Sequence, residues 1–133
     1  MLTDQVLAQA IAVEKEMYRA LTELEELTQE LAQAVSRGDK VSVQMFLSMR
    51  RDSLNQMARH QASLRRQYTR LPAADARLLR ALLEDASPPA CAGSEELVRQ
   101  AARNRAVLER IVRADQKISR HLAGNASFYA KRP

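Results

Sequence analysis

Val6, Ala10, Val13, Met17, Ala20, Leu24, Leu27, Leu31 and Ala34 recur at alternating steps of three and four. A chain that keeps this rhythm for several heptads is committed to a long helix with one continuous apolar seam. Leu7, Leu21 and Val35 widen the seam by a row, so the helix needs more than one neighbour. Thr3 can cap its start, with Asp4 beside the positive end of the dipole. Gly38 in "SRGDK" is a left-handed stop, and Asp39 can cap the helix that follows. Arg37-Gly38-Asp39 also spells an adhesion tripeptide, but a turn explains it fully.

The second helix carries a seam of Val43, Leu47, Arg50, Leu54, Met57, Gln61, Leu64, Tyr68 and Leu71, with Phe46 alongside, and Pro72 stops it. "AADARLLRALLED" is long enough for a short helix that lays Leu78, Leu79, Leu82 and Leu83 on the bundle. "ASPPACAGS" is a linker. Ser94, Glu95 and Glu96 then open a last long helix with its seam at Leu97, Ala101, Asn104, Leu108, Ile111, Asp115, Ile118 and Leu122, and Gly124 is expected to end it. The fold class that follows is all-α: an elongated antiparallel helical bundle, or coiled coil, of three long helices plus one short one. Helices are expected at about 4–36, 41–70, 74–85 and 95–122 in a single bundle of residues 1–124, with 125–133 a flexible tail.

Charge is unevenly spread. Residues 1–37 hold seven acids against Lys15, Arg19 and Arg37, whereas the second helix carries Arg50, Arg51, Arg59, Arg65, Arg66 and Arg70 against Asp52. Opposite charge favours pairing these two helices, although each exposed pair adds only a few tenths of a kcal/mol. A net charge of +5 invites a nucleic-acid reading. No recognition motif, zinc-finger spacing or stacking aromatic supports it, so no nucleic acid is expected.

Catalysis finds no residues to use. Neither His60 nor His121 has an acid three residues before it, as carboxylate-bridged metal bundles require. One Cys and two His are too few for zinc, and no Gly-rich phosphate loop occurs. A seam arginine such as Arg50 also occurs in small helical chorismate mutases, but those draw bases from the first helix, which is acidic here. No enzyme, cofactor or metal is expected. Cys91 excludes an internal disulfide, and Met1-Leu-Thr-Asp shows no secretory pattern. No eighteen-residue apolar run occurs, so a cytoplasmic location without membrane insertion is expected, and Asn125-Ala126-Ser127 is then a coincidental glycosylation match.

The last helix holds the oddities. Asn104 and Asp115 stand in an apolar seam, either fixing register or marking a side that is not dry. Val98, Val107 and Val112 lie outside that seam and should cover another surface. Phe128 and Tyr129 fall beyond Gly124. Surplus apolar area of this kind suits a helix that grasps a partner in a groove.

The stretch "ALTELEELTQELAQAVSRGDKVSVQMFLSMRRDSLNQM" through "LRRQYTRL", with "NRAVLERIVRADQKISRHL", resembles the flagellar type III export chaperones of the FlgN class. The resemblance implies a cytoplasmic chaperone, not ATP-driven, that keeps hook-filament junction (hook-associated) subunits unpolymerised until export. It implies client binding through the C-terminal helical region, here Leu108, Ile111, Val112, Ile118 and Leu122, extended by Phe128 and Tyr129. A scaffold acting by self-association, as a homodimer, is the other reading.

Overall fold

The computed structural model describes residues 2–130, and the side chains of 2–124. It is an all-α bundle of four helices: α1 (Asp4–Arg37), α2 (Lys40–Thr69), α3 (Ala73–Glu84) and α4 (Glu95–Ala130). Thr3 caps α1 by accepting from the Val6 amide, and Gly38 ends it in the left-handed region at φ 69°. Asp39 caps α2 by accepting from both the amide and the hydroxyl of Ser42. These hydrogen bonds hold the Asp39 carboxyl below its ordinary pKa. At its far end α4 departs from expectation. It runs through Gly124 to Ala130, because a helical glycine weakens a helix without forcing a stop. The Phe128 and Tyr129 side chains lie outside the described residues.

α1 is the hub. Its buried residues form two adjacent rows, Leu7, Met17, Leu21, Leu24 and Leu31 among them, and α2 and α4 pack along it. α2 returns antiparallel to α1. α4 runs parallel to α1: Asn104 meets Glu14, Arg110 meets Glu25, and Ile118 packs with Leu31 and Val35. α3 therefore descends alongside α2, and the ten residues from Asp85 to Ser94 climb back before α4 begins. Twelve helical residues are about 18 Å long, well within the reach of a linker of that length.

Adjacency follows a square. α1 touches α2 and α4, and α3 touches the same two, while no Cα of α1 comes within 8 Å of α3, nor any of α2 within 8 Å of α4. α3 is thus the fourth corner of a four-helix bundle, diagonal to α1. Leu79, Leu82 and Leu83 are buried there and Leu78 partly so, as the sequence predicts.

The expected ionic pairing of α1 with α2 does not occur. Among the described residues no α1 carboxylate meets an α2 arginine. Instead, bridges run to α4: Glu25 to Arg110 through both carboxylate oxygens (2.6 and 3.2 Å), and Lys15 to Glu96 at 3.0 Å. Arg51, Arg59, Arg65 and Arg66 of α2 are exposed to water, and Arg50 turns toward α4 instead.

Candidate functional site

Three of the four corners run the length of the bundle. The fourth is filled only as far as Glu84, where α3 stops. Arg105 closes that stop, donating from Nη1 to the Leu83 carbonyl at 2.7 Å and from Nη2 to that of Asp85 at 3.3 Å, a favourable place for a cation at a helix C-terminus. Below this level α2 and α4 flank a lane with α1 as its floor. The lane extends for about 25–30 Å, taken from the remaining helical residues at 1.5 Å each.

Its walls are apolar and only half covered. Leu47 and Gln61 of α2 line cavities facing α4, and Leu54, seven residues from each, shares their face. Opposite stand Leu108, Val112 and Leu122. Exposure of the leucines and the valine runs from 38% at Leu108 to 47% at Leu122. The lower part narrows to a cavity of about 290 Å³ bounded by Leu31, Val35, Leu47, Arg50, Asp115 and Leu122. There the Arg50 Nη2 donates to Asp115 Oδ2 at 2.9 Å, tying α2 to α4 across the floor. The Arg50 side chain is 12% exposed and that of Asp115 40%. The Arg50 Nε is buried without an acceptor.

The sequence-predicted face of α4 divides. Ile111 (3% exposed) and Ile118 (8%) are sealed against α1, so they are core and not partner contacts. Leu108, Val112 and Leu122 remain open, and all three stand beside the vacant corner. Val107, expected to cover another surface, is instead buried on the α1 side, while Val98 is half-buried. On a helix packed against two neighbours, the burying arc is wider than a two-position seam.

Both seam oddities have partners. Asn104 Nδ2 donates to the Glu14 carbonyl at 2.8 Å and to the Glu14 carboxylate, and Gln100 Nε2 donates to Asn104 Oδ1 at 3.1 Å. Burial pushes the Glu14 carboxyl above its ordinary pKa, against the opposing pull of Asn104 and Arg105. Asp115 is the counter-charge of Arg50. Arg50 and Asp115 are each the one charged residue of their seam, a signal that could have paired them. The sequence reading missed the α2 wall, Leu47 and Leu54, because it took both as buried seam positions.

α2 has a second uncovered stripe on its other flank. Val41, Met45 and Met49 are spaced by four and are 82%, 50% and 44% exposed. Among the described residues no helix is long and apolar enough to cross a membrane, and no group of His, Cys, Asp and Glu could hold a metal ion. No family model, curated protein or solved structure matches the chain.

Proposed function

We propose that this protein is a non-catalytic cytoplasmic chaperone that binds a terminal amphipathic helix of a flagellar hook-associated subunit before type III export. The observation that carries the reading is the corner below α3: a lane between α2 and α4 with exposed apolar residues on both walls, in a bundle whose fourth corner is filled only by the short α3. An amphipathic helix laid there completes the square and covers leucines that would otherwise face water. The likeness of "ALTELEELTQELAQAVSRGDKVSVQMFLSMRRDSLNQM" and the last helix to the FlgN class supplies the choice of client. Binding is stoichiometric, and its effect is to hide a helix the client would use to polymerise.

The variant Leu47→Asp/Val112→Asp places a charge on each wall without touching the core. It is expected to lose binding of a purified hook-associated subunit in calorimetry while keeping the wild-type melting temperature. Undiminished binding by a folded double variant overturns the reading.

Self-association has its own supporting observation, the Val41–Met45–Met49 stripe, which belongs to a run from Val41 to Met49 without a charge. If the protein acts as a scaffold through that stripe, light scattering shows a dimer without any client, and Met45→Asp makes it a monomer.

A further inference from the structure

We infer that the helix received in the open corner carries one neutral hydrogen-bonding side chain, an amide above all, within its apolar stripe, where it meets the Arg50–Asp115 pair. This rests on the helix-receiving reading and adds the chemistry of the occupant.

The pair is framed by apolar wall residues. Leu47 and Leu54 lie three residues before and four after Arg50, and Val112 and Leu122 lie three before and seven after Asp115. A helix that covers the leucines therefore also covers the ion pair. Arg50 is already mostly withdrawn from water, whereas Asp115 keeps 40% of its side chain exposed, and among the described residues only its Oδ2 accepts a protein hydrogen bond. Covering the pair strips the water from Oδ1.

Each class of incoming side chain fares differently. A leucine leaves that oxygen with no donor, beside a guanidinium whose Nε is already an orphan. A carboxylate stands against Asp115 and an ammonium against Arg50, each a third charge beside a pair that is already neutral. An amide resolves both needs at once: its carbonyl accepts from the guanidinium and its NH₂ donates to the free carboxylate oxygen. A hydroxyl serves less completely, with one hydrogen to give. A single polar layer in an apolar helix interface fixes which residue sits at that level. Arg50 and Asp115 are thus specificity-determining residues that set the register of the partner.

The test pans a displayed library of amphipathic helices on the full-length chain. The helices are about eighteen residues long to match the lane, with each stripe position varied in turn. On the wild type, Asn or Gln is expected at one stripe position, enriched about tenfold over Leu, the ratio that one unmet hydrogen bond produces. Arg50→Met/Asp115→Leu removes both charges together, and the preference at that position is expected to pass to Leu. Asp115→Asn leaves Arg50 without its counter-charge and should move the preference to Asp or Glu, a switch that a purely structural bridge would not produce. Leu preferred at every stripe position by the wild type overturns the inference while the helix-receiving reading stands. A library that the folded wild type does not hold at all overturns that reading, and the inference with it.

Discussion

Ile111 and Val112 are neighbours in sequence with opposite fates, one at 3% exposure and the other at 46%. Ile111→Ala is expected to destabilise by about 3 kcal/mol in urea denaturation, as large-to-small core changes do. Val112→Ala should stay within about 0.5 kcal/mol, and equal effects at the two sites would contradict the assignment. Glu14 gives a pH prediction. Its pKa is raised in the fold, so the folded chain binds this proton more tightly than the unfolded one. Stability from this group is therefore fully present below the unfolded value of 4.5 and is lost as pH rises through the folded value. Glu14→Gln keeps a hydrogen bond to Asn104 and removes the titration. Thermal melts between about pH 4 and about pH 8 should show the variant more stable than the wild type at the upper end and the difference closing at the lower. Arg50 and Asp115 were each visible in the sequence as an anomaly. Their mutual bond was not, because it depends on α2 and α4 crossing a diagonal.

The helices themselves were largely legible. Seven of the nine seam residues from Val6 to Ala34 are buried in α1, with Val6 and Val13 only partly so, and the second row at Leu7, Leu21 and Val35 marks its two neighbours. Gly38, Asp39 and Pro72 fall at the boundaries they predict. Gly38→Ala meets no atom within 4 Å, so its whole cost is the left-handed backbone. A loss of about 1 kcal/mol is expected in urea denaturation, and an unchanged midpoint would contradict the cap. Two inferences from local pattern failed. Gly124 has the residue type of a stop but lies inside α4, and the charge asymmetry between α1 and α2 does not become ion pairs. Both depend on what surrounds the residue, which periodicity does not encode.

At the scale of the molecule, the open corner comes from a mismatch of lengths. α3 has 12 residues beside helices of 30 to 36, and its shortness could be read from Pro72 and the Pro-Pro linker. What could not be read is that α3 lies diagonal to α1, which turns a short helix into an unfilled lane. The surplus apolar surface expected on α4 is consequently shared with α2, on Leu47 and Leu54.

Hydrogen exchange of the chain alone and mixed with the proposed client, a purified hook-associated subunit, tests the unfilled corner most directly. Binding is expected to slow exchange in residues 41–54 and 108–122 together, the two walls, and to leave residues 73–84 of α3 unchanged. Protection of one wall without the other, or protection centred on α3, would contradict a helix seated below it.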